Sequence, residues 1–170
     1  TFAGVGKTAA EIKYALEQDI YSFNVESIAE LEFINHIAGT MDAVAPIAVR
    51  VNPNVDAKTH KYISTGKAEN KFGIDFDQVS TVYELAENLP HVLVRGVQMH
   101  IGSQLNTVAP FVEAVERVVP LVEELRADHN IEFFSIGGGI GIVYDPALDS
   151  GPPSWWQDHA EPPLTVDTYA

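Results

Sequence analysis

The sequence predicts an α/β protein that forms part of a (β/α)8 barrel, about the central half. Helix and strand patterns alternate strictly along the chain, which is typical of a parallel sheet with helical crossovers. Four whole strands and an opening stub fill an open doubly wound sheet, but only about half of a barrel of roughly 250 residues. The 170 residues begin at Thr1 without a methionine and end soon after the pair Pro162-Pro163. We therefore expect a piece of a longer protein, and cut ends favour the barrel over the open sheet.

Each predicted helix has a local start signal or an apolar stripe. Capping-box patterns at Thr8-Ala9-Ala10-Glu11 and Ser27-Ile28-Ala29-Glu30 start two helices, which end near Gln18 and at Gly39. A third helix is predicted over about 76–88 and a fourth from Pro110 to about Leu125. Pro120 should kink or split the fourth helix, because proline lacks the amide hydrogen of the helical ladder.

Four apolar, β-branched runs predict the strands, at residues 20–25, 46–51, 92–99 and 131–136. Residues 52–74 predict a long polar loop. Residues 145–164 hold five of the ten prolines and both tryptophans, and they predict a loop insertion.

Composition excludes several classes of function. Ten Lys+Arg against 24 Asp+Glu give a net charge of −14, which repels nucleic acid. No apolar run reaches the roughly 20 residues of a membrane span. The absence of cysteine excludes disulfides and thiol catalysis within these residues and fits a cytoplasmic protein. The six histidines show no tight metal-ligand spacing, so no metal site is predicted.

Ligands of parallel α/β folds bind beyond the carboxyl ends of the strands, so the residues that follow each strand are the candidates. Gly137, Gly138 and Gly139 follow the last strand, and three glycines in a row predict a backbone nest for an anion, where a plain turn needs one or two. His100 ends the strand before it, and Ser103 adds a hydroxyl. Taken alone, His100 is more typical of a hydrogen-bonded core or loop histidine. Together these residues predict a site for a flat, phosphorylated ligand.

The turn Gly4-Val5-Gly6-Lys7-Thr8 invites comparison with the P-loop of nucleotide hydrolases. The motif G-x-x-x-x-G-K-[ST] needs a glycine where this chain has Thr1. A strand-to-helix turn capped by Thr8 explains the segment without a nucleotide. A P-loop protein is the alternative from a different class.

Several segments resemble the diaminopimelate decarboxylases, barrel enzymes of the alanine-racemase-like class that use pyridoxal 5'-phosphate (PLP). The resemblance is greatest over the ungapped stretch 50–74, which includes Arg50-Val51-Asn52-Pro53. The other matching segments are 4–8, 23–27, 100–104 and 136–139. The family removes the D-centre carboxylate of meso-diaminopimelate and releases CO₂ and L-lysine, with PLP as electron sink.

The resemblance implies a role for each candidate residue. His100 would stack on the PLP ring, Arg50 would lie near the ring, and Ser103 with the backbone of Gly137, Gly138 and chiefly Gly139 would hold the phosphate. Residues 71–73 would lie near the active-site mouth and the interface of a homodimer.

The chain also departs from the family pattern. It lacks the Schiff-base lysine of the Y-A-x-K motif, the E-P-G-R segment and the C-terminal β-domain, so residues 1–170 are expected to be one piece of a single barrel domain and inactive alone. Gln98 stands where members often have histidine. A related PLP decarboxylase for another amino acid or carboxyamine, and a non-catalytic PLP-binding barrel, are the alternatives within the class.

Overall fold

The predicted alternation of helices and strands is present in a computed structural model, which describes residues 1–55, 72–105, 107–141 and 169. Within residues 1–141 of this described part, four helices and five strands follow one another in the order α1 Ala9–Glu17, β1 Phe23–Val25, α2 Ile28–Thr40, β2 Ala45–Asn52, β3 Ile74–Asp75, α3 Val79–Glu87, β4 Val92–Met99, α4 Ala109–Asp128 and β5 Phe133–Ser135. Every pairing between these strands is parallel. None of the described helices is long and apolar enough to cross a bilayer.

The order of the strands distinguishes a barrel from a doubly wound sheet. The strands lie in the order β1-β2-β4-β5, while the two-residue β3 pairs with the end of β2. Phe2 forms a further parallel bridge to Phe23, on β1. A doubly wound sheet reverses its strand order at a switch point, whereas a barrel wall keeps chain order. The described strands keep chain order, so the predicted partial barrel is confirmed.

The helices cover one face of the sheet. One buried cluster joins apolar residues of all four helices to alternate positions of the strands, among them Phe23, Val25, Ile47, Val49, Val51 and Val97. Because side chains alternate along a strand, the residues between these point to the other face. That face is polar towards the carboxyl ends and carries Asn24, Glu26, Arg50, Asn52 and Gln98. It corresponds to the interior of a barrel, and we call it the interior face.

A bulge in β4 determines which of its residues lie on the interior face. Ile47 pairs with Val94, but the next residue, Ala48, pairs with Gly96, so Arg95 is an extra residue in β4. Without the bulge, the alternation that buries Val94 against the helices would turn Gln98 towards them as well. A shift of one residue exchanges the two faces of a strand. The bulge therefore places Gln98 on the interior face, while Val97 and Met99 pack against the helices.

The end of the second helix needs correction. The second helix does not end at Gly39 but continues to Thr40. Gly39 is required by packing, because a β-carbon there would lie 2.9 Å from Cδ2 of His91. The left-handed residue that follows the helix is Asp42, with φ 52°.

The fourth helix is not split at Pro120. The carbonyl that loses its helical partner at Pro120 belongs to Glu116, and both residues are exposed, so water can pair with that carbonyl.

The remaining differences concern short elements. The helix predicted from about residue 76 begins with a 3-10 turn, Phe76–Gln78, before α3. The sequence did not predict β3, whose two residues pair with Val51 and Asn52. Most of the predicted loop 52–74 and the whole predicted insertion 145–164 lie outside the described residues.

Candidate functional site

Arg50 connects three strands at the carboxyl edge of the sheet. Its Nη1 donates to Oε2 of Glu26 at 2.7 Å, an ion pair between β2 and the residue after β1. Its Nη2 donates to the carbonyl oxygen of His100, the residue after β4, at 3.2 Å. A planar guanidinium can hold two partners in fixed directions, which an ammonium cannot. Arg50 thus fixes the relative position of Glu26 and His100.

Glu26 extends these contacts to the first turn and to α2. Its Oε1 accepts from the amide of Gly4 at 3.3 Å. Its own amide donates to Oε2 of Glu30 at 2.6 Å, and Oε1 of Glu30 pairs with Lys7 at 2.8 Å. The carboxyl edge therefore holds a continuous series of polar contacts, from Lys7 through Glu30, Glu26 and Arg50 to His100.

Lys7 is part of the wall of the sheet. Its Nζ donates to the carbonyl oxygens of Gly4 and Asn24 at 2.7 and 2.8 Å, and to Glu30. An ammonium group has three hydrogens to donate, and these three acceptors use them all. The side chain is 0% exposed. A P-loop lysine must reach phosphate oxygens, so the geometry does not support the nucleotide-binding alternative.

The glycine turn after β5 is built against the loop after β4. Gly137 and Gly139 have φ of 81° and 104°, which L side chains rarely adopt. A β-carbon at Gly139 would collide with the carbonyl oxygen of Gly102. The amide of Leu105 donates to the carbonyl of Gly139 at 2.9 Å. The loop that carries the exposed Ser103 is thereby joined to the glycine turn.

The imidazole of His100 faces the same turn. The amide of Gly138 lies 3.5 Å from its Nδ1, which assigns the proton of the neutral ring to Nε2. Burial lowers the pKa of His100, the positive charge of Arg50 lowers it further, and Glu26 opposes both. The ring is therefore neutral near pH 7, and a neutral imidazole face can stack on a planar ligand.

Three buried polar atoms of the interior face have no hydrogen-bond partner among the described residues: Oδ1 of Asn24, Nε of Arg50 and Oε1 of Gln98. Arg50 and Gln98 are register partners on β2 and β4, and both point to the interior face. The amide of Gln98 is oriented by its Nε2, which donates to the carbonyl of Met99. Unpaired buried groups are costly, so a donor and an acceptor here favour a polar ligand.

Taken together, the fold and the site define a class of protein: a parallel barrel that binds a phosphorylated, planar cofactor at the carboxyl edge of its strands. The glycine turn fits the phosphate of PLP, the neutral face of His100 fits its ring, and the unpaired Arg50 and Gln98 atoms fit polar ring substituents. Among the described residues, no cluster of His, Asp or Glu could hold a metal ion.

Comparison with known proteins identifies the family. The family model "Pyridoxal-dependent decarboxylase, pyridoxal binding domain" matches residues 1–151, and the chain belongs to this family. The pyridoxal cofactor and the decarboxylase family that the sequence predicts are thus confirmed.

Relatives of the chain include named enzymes. Diaminopimelate decarboxylase of Vibrio cholerae is 51% identical over 152 residues, which cover 89% of this chain and 36% of the relative. The same enzyme of Haemophilus influenzae is 48% identical over 153 residues, again 89% of this chain and 36% of the relative. A crystal structure of diaminopimelate decarboxylase from Helicobacter pylori, complexed with L-lysine, has a TM-score of 0.80 and 38% identity, and covers 98% of this chain and 39% of that chain. The chain thus spans little more than a third of the length of these proteins.

The structure brings most of the predicted site residues together. Arg50, His100 and the three glycines 137–139 meet at one edge, and Ser103 lies on the adjoining loop. Their roles towards PLP remain predictions. Of residues 71–73, Lys71 lies outside the described residues, while the Phe72 ring centroid is 6.0 Å from Cζ of Arg50.

Sequence reasoning missed two contributors. Glu26 follows β1 at the same edge as Arg50 and His100, so the rule that selected those residues selects it too. Tyr169 donates its hydroxyl to the carbonyl of Gly137 at 3.2 Å, and its ring meets Phe111 edge-on at 5.0 Å. No sequence signal indicates a contact of Tyr169 with a turn 32 residues away.

Proposed function

We propose that this chain supplies the cofactor-binding residues of a PLP-dependent decarboxylase that converts meso-2,6-diaminopimelate into L-lysine and CO₂, the last step of lysine biosynthesis. The observation that carries the proposal is the joint position of the glycine turn, His100 and Arg50 at the carboxyl edge, in a chain 51% identical to a diaminopimelate decarboxylase. A related protein crystallised with L-lysine supports the same product.

The chain's own residues would bind and orient. The backbone of the turn 137–139, chiefly the amide of Gly139, and the hydroxyl of Ser103 would hold the phosphate, because a positive-φ glycine brings its amide close to an anion. The amides of Gly137 and Gly138 already face Oγ of Ser135 and Nδ1 of His100. The neutral ring of His100 would stack on the cofactor ring and fix its plane. Arg50 would hold His100 by its backbone and direct Nε to the interior. PLP, when bound, supplies an electron sink for the pair released as the carboxylate leaves.

The test measures CO₂ release by the protein encoded by the complete reading frame. Substrates are meso-diaminopimelate, L-lysine, L-ornithine and a carboxyamine, each with and without added PLP. We expect release from meso-diaminopimelate with equimolar L-lysine, and dependence on PLP. Release from one of the other substrates instead would replace the proposed function by that of a related decarboxylase. PLP binding without any release would identify a non-catalytic barrel.

Assembly and location are part of the proposal. We expect a homodimer in the cytoplasm, with residues 1–170 inside a single barrel domain and 145–164 as an insertion. The family resemblance of residues 71–73 to an interface loop supports the dimer, and the lack of cysteine in the chain suits a reducing compartment. Light scattering of the purified protein at several concentrations tests the dimer, and a monomer throughout would contradict it.

A further inference from the structure

We infer that Glu26 is a positioning residue of the cofactor site, which holds Arg50 in the one orientation that lets it fix His100. The inference rests on the proposed function, because it concerns the same site. It assigns to Glu26 no contact with cofactor or substrate. Glu26 acts through Arg50, and Arg50 acts through the backbone of His100.

Both carboxylate oxygens of Glu26 are already used. Oε2 accepts from Arg50 and Oε1 from the amide of Gly4. The side chain is 4% exposed, so it has no surface with which to reach a ligand. The amide of Glu26 is held in turn by Glu30, which fixes the backbone below the carboxylate. Glu26 is thus a rigid acceptor placed between the first turn and β2.

The geometry of Arg50 follows from that acceptor. Its Nη1 is held by Glu26, and its Nη2 reaches the carbonyl oxygen of His100. Because the guanidinium is planar, two fixed nitrogens fix the third, Nε. That atom is buried and has no partner in the described part of the chain. Loss of Glu26 would free the guanidinium to turn, and His100 would lose its backbone tether.

A stabilising role alone is a poor explanation of the pair. Burial of an ion pair costs desolvation that its attraction barely repays, so an apolar pair of similar size is often as stable. The connections of this pair, to the first turn on one side and to His100 on the other, indicate a role in geometry.

The experiment is a double-mutant cycle for PLP affinity in the protein of the complete reading frame. The variants are Glu26→Gln, Arg50→Met and the double mutant, with Glu87→Gln as matched control. Glu87 also contacts a nitrogen-bearing side chain, since its Oε1 lies 2.6 Å from Nδ1 of His129. This contact lies on the outer helices, and the side chain of Glu87 is 48% exposed. Gly4 and Arg50 bind different oxygens of Glu26, and glutamine replaces one of these oxygens by an NH₂ donor, so one of the two partners would face a donor.

We expect Glu26→Gln and Arg50→Met each to weaken PLP binding by about tenfold, and the double mutant to be no more than about twofold worse than Arg50→Met. Glu87→Gln should bind PLP as the parent does. If the double mutant loses PLP affinity by the product of the two single-mutant losses, Glu26 acts independently of Arg50. That result would overturn the inference. An unchanged affinity of Glu26→Gln would overturn it as well.

Two further measurements separate positioning from folding. Arg50→Lys keeps the charge beside Glu26 but not the planar fork, so we expect it to bind PLP as weakly as Arg50→Met; full recovery by lysine would contradict the inference. It can be measured even if Glu26→Gln does not fold. NMR titration of His100 should show a lower pKa in Glu26→Gln than in the parent, since the carboxylate that opposes Arg50 is gone. An unchanged titration would contradict the coupling.

These measurements need no substrate. A parent that binds PLP but releases no CO₂ from meso-diaminopimelate would refute the proposed function, while the cycle would still decide the role of Glu26. A parent that does not bind PLP would refute the proposed function, and the His100 titration would still report the coupling.

Discussion

The carbonyl oxygen of Gly102 lies so close to Gly139 that no β-carbon fits between them. The backbone of Gly139 also has φ 104°, so two independent constraints require glycine at this position. The glycine before it is different, because a β-carbon at Gly138 would meet nothing within 4 Å. Neighbouring residues of one turn thus provide a matched pair for mutation.

Gly139→Ala should lower the free energy of unfolding by about 1–3 kcal/mol and weaken PLP binding, because the turn must open to admit the methyl group. Gly138→Ala should leave stability within about 0.5 kcal/mol of the parent. Urea denaturation of the two variants without PLP checks the contrast. Equal stability of both would show that the turn is not held against Gly102.

Gly139→Val should weaken PLP binding more than Ser103→Ala. Ser103 can give one hydrogen bond to a charged group, worth about 1.5–3 kcal/mol, or roughly 10- to 150-fold in affinity. Valine at 139 would displace the whole turn. Dissociation constants measured by PLP fluorescence compare the two variants. A third variant, His100→Ala, should lower kcat and leave the phosphate bound. Parental PLP affinity in Gly139→Val would move the phosphate site elsewhere.

Lys7→Met should destabilise the fold by about 3–5 kcal/mol, since it leaves Glu30 and two carbonyl groups without their buried partner. The control is Lys13→Met, which replaces an exposed lysine of α1 and should change stability by less than about 0.5 kcal/mol. Chemical denaturation measures both. A loss of less than about 1 kcal/mol for Lys7→Met would mean that Glu30 finds another partner or water.

The pKa of His100 is lower in the folded chain than the ordinary histidine value of 6.5. The free energy of unfolding should therefore fall as the pH drops from 6.5 to below the pKa of folded His100. In that range the unfolded chain binds a proton that the folded chain resists, so protonation favours unfolding. The contribution is fully present above 6.5. Urea titrations between about pH 5 and pH 8 measure it as the difference between the parent and His100→Gln. Parallel curves for the two proteins would exclude a depressed pKa.

Gly96→Ala should cost about 1–3 kcal/mol, because its β-carbon would lie 2.5 Å from Cε1 of the Phe133 ring on the neighbouring strand. That ring also packs against Tyr21, at 5.1 Å between centroids, so moving it away disturbs a second contact. In a Phe133→Leu background the same substitution should cost less than about 1 kcal/mol. Equal costs in both backgrounds would show that the ring is not the obstacle.

Local signals in the sequence predict the helices and strands well, because caps and apolar runs act over a few residues. Thr8 and Glu11 form the predicted capping box, and their bonds are all within one turn. Gly39 shows the limit of such signals. Its residue type predicts a helix stop, but the reason for glycine there is packing against His91, which lies 52 residues further along the chain, beyond the reach of any local pattern.

The site was predictable as far as it depends on where strands end. Arg50, His100 and the glycines follow from that rule and from the family resemblance. The bulge at Arg95 was not predictable, since it arises from the pairing of β4 with β2 and decides the face on which Gln98 lies. The strand-end rule selects Glu26 as well, but its pairing with Arg50 has no local signal, because it joins residues 24 apart, one after β1 and one on β2.

The complete coordination of Lys7 also has a chemical consequence. Aldehydes such as PLP condense with any amine that has a free lone pair, and a protein that binds an aldehyde must prevent its other lysines from competing. Lys7 lies at the edge where the cofactor would bind, yet its ammonium group donates to three acceptors, and an ammonium nitrogen has no lone pair to offer an aldehyde. If the cofactor binds at this edge as proposed, the ion pair with Glu30 would also disfavour an adduct at Lys7, in addition to stabilising the fold.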